Sequence, residues 1–209
     1  MDRVIKKHKS IKEFVLKLLK ISIPIMIANL FTNVASLIDT MMVGKIDQIN
    51  FSGVFVATQV IFVINLAIFG SVEGSSIYFS QFLGKKDSKH LRNSFAFKII
   101  ATLIVGTIST LIVLIFGRPL AKLFTKNPQE IEVAVKYMNI LSISIIPFGI
   151  NVAISTSLRE DHHTFIPMMI TFFGVIINIL VNYIFIFGSW GMPRLEGIGA
   201  AIGTVAVGR

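Results

Sequence analysis

The chain has 209 residues, of which 54% are hydrophobic and 15% charged, and its mean hydropathy is +0.78. That balance excludes an ordinary soluble domain and defines a polytopic membrane protein. The net charge of +9 then reports topology rather than nucleic-acid binding, and the lack of cysteine excludes disulfides and thiolate metal sites.

Residues 1–20 come first. Arg3, Lys6, Lys7, Lys9, Lys12, Lys17 and Lys20 crowd this segment, and from Ile11 the lysines interleave with Phe14, Val15, Leu18 and Leu19 at helical spacing. The pattern reads as an amphipathic stretch in the cytoplasmic interface. Residues 21–209 then form one transmembrane lobe, with apolar spans at 21–44, 51–83, 91–116, 128–158 and 164–187. Each is long enough for a hydrocarbon core about 30 Å thick. The first exceeds the h-region of about 7–15 residues of a signal peptide, so it is expected to stay as a helix. A turn-rich loop at 188–196 leads to a sixth apolar run at 197–209, about a dozen residues where about 20 are needed to cross. The expectation is an incomplete sixth helix and a chain cut from something longer.

Basic residues orient the spans. Lys85, Lys86, Lys89 and Arg92 follow the second span, whereas the opposite connections hold only Lys45, then Arg118, Lys122 and Lys126, then Arg194. The N-terminus is therefore expected in the cytoplasm, with the protein multi-pass in its membrane.

Asp39 is the most informative residue, because a carboxylate in an apolar span costs at least about 2.5–3.5 kcal/mol. Asn29, Thr32, Asn33, Ser36, Asp39 and Thr40 recur at steps of three and four and share one helical face, which suits the wall of a wet cavity. At 1.5 Å per residue, Asp39 lies roughly 28 Å from the cytoplasmic end of its helix, and Asn178 and Asn182 lie roughly 22 and 28 Å up the fifth span. A carboxylate and two amide oxygens at one depth are expected to hold a proton or a small hard cation such as Na+, against the plainer alternative of interhelical hydrogen bonds.

Glu73 lies only about 18 Å from the cytoplasmic end of the second span and should not meet Asp39. Gly70 and Gly74 beside it form a small-xxx-small pattern, which points first to close helix packing and second to a pathway role. In the fourth span Pro147 follows Ser142 and Ser144 and precedes Asn151, as in a kinked helix bordering a cavity. Asp161-His162-His163 resembles a metal-binding string but falls in a short turn without further ligands, so a solvated loop is expected. No nucleophile elbow, P-loop, HExxH or dinucleotide fingerprint is present, and the chain gives no support for an enzyme.

Several strings carry a family resemblance: Asp39-Thr-Met-Met-Val-Gly44; Ser80-Gln-Phe-Leu-Gly-Lys-Lys-Asp87; Leu158-Arg-Glu160 with Pro167-Met168; and Asn178-Ile-Leu-Val-Asn182-Tyr-Ile-Phe-Ile-Phe-Gly188, followed by Gly191-Met-Pro193 and Gly199-Ala-Ala201. Ala134-x-x-Tyr137 agrees. In this order the chain resembles the multidrug and toxic compound extrusion (MATE) transporters over essentially its whole length, as their N-terminal six-helix lobe. The resemblance implies an all-α polytopic lobe of a drug efflux antiporter that exports organic cations in exchange for Na+ or H+, with no cofactor beyond the coupling ion. It implies an ion-coupling and substrate-linked role for Asp39, with Asn178 and Asn182 beside it and Thr204 in the same cluster, while Thr32, Asn33, Ser36, Asn151 and Glu73 stand as pathway candidates on the reading of the residues above. Its partners are the bilayer, small-molecule drugs and a missing C-terminal lobe. Some relatives have aspartate where this chain has Asn182, so the ion stays open. A lipid-linked saccharide flippase of the same superfamily is the nearest alternative, and a non-transporting scaffold or inactive half-protein is another.

Overall fold

A computed structural model describes residues 2–45, 47–188 and 197–208. These form six helices: α1 (Asp2–Gly44), α2 (Gln48–Gly84), α3 (Ser88–Lys122), α4 (Pro128–Glu160), α5 (Phe165–Phe187) and α6 (Gly197–Val207). The described residues contain no strand, as the sequence predicts for an all-α lobe. Five helices are long and apolar enough to cross a membrane, and α6 has 11 residues. The loop at 188–196 falls outside the described residues after Gly188, as do Gly191, Met192, Pro193 and Arg194.

Local chemistry sets the boundaries. The Asp47 carboxylate accepts the Asn50 backbone N–H at 2.7 Å and starts α2, and the Asp87 carboxylate does the same for α3 through the His90 N–H at 3.2 Å. Asn127 caps α4, where Pro128 occupies the first turn and forfeits no hydrogen bond there. Gly188, at φ 69°, ends α5 in the left-handed conformation that glycine adopts without a Cβ penalty. At its start α1 departs from the expected pattern. It is one helix from Asp2, so the basic amphipathic segment extends the first span rather than lying apart from it. At 1.5 Å per residue this helix runs roughly 64 Å, about twice a hydrocarbon core.

Packing divides the helices into two groups. α2, α3 and α4 pack mutually, α1 packs chiefly on α5 and α5 on α6, and α6 joins the groups by packing on α4. α3 shows how the lobe faces lipid. Its buried stripe is Ser94, Lys98, Thr102, Gly106, Ser109, Val113, Gly117 and Ala121, while Phe97, Ile100, Ile104, Ile108 and Ile115 point outward. Small residues inside and large apolar ones outside is the arrangement expected where lipid is as apolar as leucine and close backbone approach holds helices together. Gly53 meets this need between α2 and α4, because a Cβ there would lie 2.6 Å from the Val133 Cβ and 2.9 Å from the Glu130 carbonyl oxygen.

Candidate functional site

Where α1 nears its C-terminal end, Asp39 faces α5. The Asn182 Nδ2 donates to Asp39 Oδ1 at 2.6 Å and lies 3.4 Å from Asn178 Oδ1. Both asparagines are fully buried and Asp39 is half-buried. The three residues that depth counting grouped are thus brought together, by an i, i+4 pair on α5 meeting a carboxylate on α1. One amide group bridges a carboxylate and a second amide oxygen, so the cluster spans both helices.

The cluster is not fully satisfied. Asn182 Oδ1 and Asn178 Nδ2 are buried and make no hydrogen bond. Orphaned polar atoms away from water cost free energy comparable to a lost hydrogen bond and are rare unless something compensates. Asn182 Oδ1 points at α6, where Gly203 makes room: a Cβ on residue 203 would collide with that oxygen. Gly203 is therefore part of the cluster, although its sequence neighbours Ala201 and Thr204 drew more attention.

Thr204 lies on α6 in the same neighbourhood. Its hydroxyl donates to the Ala200 carbonyl, and the buried Tyr137 hydroxyl of α4 sits beside Thr204 and within electrostatic reach of Asp39. Tyr137 thereby brings α4 to a site that sequence reading built from α1 and α5; the Ala134-x-x-Tyr137 string was the available signal.

The pathway candidates separate. Thr32 is half-buried, with its hydroxyl on the Ala28 carbonyl, whereas Asn33 and Ser36 are exposed beside Asn29 and Thr40. Asn151 is exposed on α4 and accepts from the Ser155 hydroxyl at 3.2 Å. Glu73 is exposed on α2, within electrostatic reach of Arg159, and does not join Asp39. The close-packing role expected of Gly70 and Gly74 is corrected: nothing lies within 4 Å of a Cβ built on either. Both glycines lie on an exposed face of α2 that no described residue covers. Pro147 is likewise exposed, and α4 continues through it as one helix. Asp161, His162 and His163 form an exposed turn with His163 Nδ1 3.2 Å from Asp161, and no group of metal-ligating residues occurs among the described residues.

A second buried polar cluster at the opposite end escaped sequence reading. Lys98 of α3 is 0% exposed, and its Nζ donates to Ser157 Oγ at 3.0 Å and to Glu160 Oε2 at 3.0 Å and Oε1 at 3.3 Å, all on α4. The same ammonium lies 4.7 Å from the centre of the Phe79 ring on α2, a cation–π distance. A lone lysine seven residues into the apolar span 91–116 was the signal.

Six helices with small residues inside, large apolar residues outside and an unsatisfied acid–amide cluster between α1 and α5 define one lobe of a polytopic membrane protein built around a polar site. Comparison names the family. The MatE family model matches residues 24–184, and the chain belongs to this family. It is 25% identical over 201 residues to the probable multidrug resistance protein NorM of Bacillus subtilis, covering 94% of this chain and 44% of that protein. It is 28% identical over 191 residues to the protein of the same description from Idiomarina loihiensis, covering 91% and 41%. The chain thus spans less than half the length of these relatives. In fold it resembles an outward-facing multidrug resistance MATE family transporter of the MOP superfamily (TM-score 0.84, 22% identity, 92% of this chain and 42% of that one). A MOP superfamily transporter from Pyrococcus furiosus is similar at TM-score 0.83 and 22% identity, over 92% and 42%.

Proposed function

We propose that this lobe is the ion-coupled part of a secondary active multidrug efflux antiporter in the plasma membrane, N-terminus cytoplasmic, which with a second lobe exports organic cations in exchange for Na+ or H+. The observation that carries the reading is the 2.6 Å contact of Asn182 Nδ2 with Asp39 across α1 and α5, beside a buried amide oxygen left without a donor. The relatives described as multidrug resistance proteins support the substrate class.

The chemistry follows from the amide. An asparagine side chain presents a donor on one edge and an acceptor on the other, and rotating it by half a turn exchanges them. As arranged, the Asn182 NH2 stands between two oxygens, Asp39 Oδ1 and Asn178 Oδ1. With the amide turned, three oxygens converge where the NH2 was, an all-oxygen donor set that fits a hard cation such as Na+. Protonation of Asp39 removes the same negative charge by another route. Either event withdraws the carboxylate from an organic cation, and the difference in affinity between facing states supplies the drive. The acidic character of Asp39 favours cationic cargo.

Asp39→Asn in the full-length protein should lower efflux of a cationic dye at least about tenfold, since a buried charge–charge contact is worth upward of 1.4 kcal/mol. Efflux assays in cells deleted for their own pumps, with surface expression measured in parallel, decide it. Undiminished efflux at equal expression would sink the assignment.

A further inference from the structure

The end of the lobe that holds Lys98 contains a cleft of about 350 Å³ between α2, α3 and α4. Phe79, Leu91, Phe95, Ile154 and Leu158 give it an apolar wall, and Ser88, Arg92 and Asp161 stand at it as polar neighbours. It lies where α3 begins at Ser88 and α4 ends at Glu160, which is the membrane interface for helices of this length.

Its charges are unevenly matched. Lys98, behind Ser157, is neutralised by Glu160, while Asp161, 3.2 Å from His163, is the one acid lining the cleft and is outnumbered by the basic residues around it. Asp87, on the adjoining turn, is engaged by His90 at 2.7 Å. Arg92 is exposed, and no salt bridge among the described residues includes it. Lys85 and Lys86 on the preceding turn and Lys89 in the first turn of α3 add to the positive field around the mouth. An apolar cleft opening beside an unmatched guanidinium, at interface depth, suits a ligand with an anionic head and a hydrocarbon tail. Basic pockets between transmembrane helices on the cytoplasmic side bind such headgroups, and a planar guanidinium takes phosphate oxygens two at a time.

We propose that this cleft seats one anionic phospholipid of the adjacent leaflet, its phosphate on Arg92 and an acyl chain along Phe79, Phe95 and Ile154. The proposal is independent of the Asp39 cluster, which lies at the other end of the helices.

The test uses the full-length gene product in detergent, delipidated and then titrated with dioleoyl phosphatidylglycerol or dioleoyl phosphatidylcholine and read by native mass spectrometry. The wild type should retain phosphatidylglycerol preferentially, and Arg92→Gln should lower that retention about fivefold, the effect of one basic residue against an anionic lipid. Phosphatidylcholine retention should not change. Ile154→Trp, which fills the cleft without touching a charge, should also reduce phosphatidylglycerol retention, with unaltered thermal unfolding showing that the fold is intact. Equal retention of the two lipids, or unchanged selectivity in Arg92→Gln, overturns the proposal. So does an equal loss on substituting Lys85, Lys86 or Lys89, which would mean diffuse surface charge. Full displacement by inorganic phosphate would mean an anion site with no chain contribution, and a photo-crosslinker at Phe95 capturing a peptide would mean a protein occupant; either overturns it.

Discussion

Lys98 and Asp39 are ionisable groups on apolar helices at opposite ends of one lobe, and their surroundings differ in kind. Lys98 is sealed between Glu160, Ser157 and the Phe79 ring, so its charge is cancelled where it stands. Asp39 is half-buried, and its contact across the helices is to a neutral amide whose other edge goes unused. A matched, enclosed pair resists change because separating it exposes two charges to a poor solvent. A carboxylate held by a neutral amide is not cancelled by that contact, which is what the proposed exchange requires of it. The first arrangement fastens α3 to α4; the second brings α1, α5 and α6 together around a single amide.

The largest effect should come from breaking the fastened pair on one side only. Glu160→Ala leaves Lys98 buried without its counter-ion and should destabilise the protein by about 3–5 kcal/mol, because an uncompensated buried charge is the costly state. Lys98→Met combined with Glu160→Gln should recover most of that loss, since a pair replaced by groups of similar volume is often close to neutral. Thermal unfolding of the purified protein separates the two outcomes. A double variant as unstable as Glu160→Ala would mean that the pair does more than cancel charge.

At the other end, Gly203→Ala should damage function more than fold. The added Cβ collides with Asn182 Oδ1, and overpacking of this sort costs about 1–3 kcal/mol, taken here mainly by displacing the amide from Asp39. Dye efflux should fall severalfold while the unfolding temperature drops by only a few degrees. Equal losses of both would show that the α5–α6 contact, rather than the amide, carries the effect. Gly70→Leu and Gly74→Leu give the contrast, because no described residue lies within 4 Å of either Cβ position. They should leave the folding of this lobe unchanged.

These contrasts also mark how far the sequence could be read. Span positions were legible because apolar runs of bilayer length have few other uses, and caps such as Asp47 and Asp87 mark their starts. The meeting of Asp39 with Asn182 was legible because helix rise converts residue counts into depth, and equal depth is a strong constraint in a bilayer. Direction around the helix axis was not legible in the same way. Gly70 and Gly74 looked like a packing face, but a stripe of small residues does not say whether its partner lies in the same chain. Lys98 went unnoticed because its partners are 59 and 62 residues away, and nothing local shows that a lysine in an apolar span points inward. Gly203 was hidden because close approach is a property of two helices at once.

The smallest effect concerns the turns that begin α2, beside the Asp39 end, and α3, beside the Lys98 end. Hydrogen bonds from Asn50 hold the Asp47 carboxyl below its ordinary value of 3.8, and the His90 N–H and ring do the same for Asp87. A carboxyl whose folded value is depressed contributes stability that is present above the unfolded value and is lost as pH falls through the folded one. Both caps should therefore weaken in acid, below about pH 4. Asp47→Ala should cost about 1 kcal/mol at neutral pH, the usual loss of an N-cap. Asp47→Asn is the sharper variant. Asparagine caps about as well as aspartate but does not titrate, so stability at pH 7 should be nearly unchanged while the acid-dependent decline becomes shallower. Unfolding temperatures of wild type and Asp47→Asn between pH 6 and pH 3 measure this. Parallel curves would place the acid sensitivity elsewhere, with the Asp87 cap the first to test.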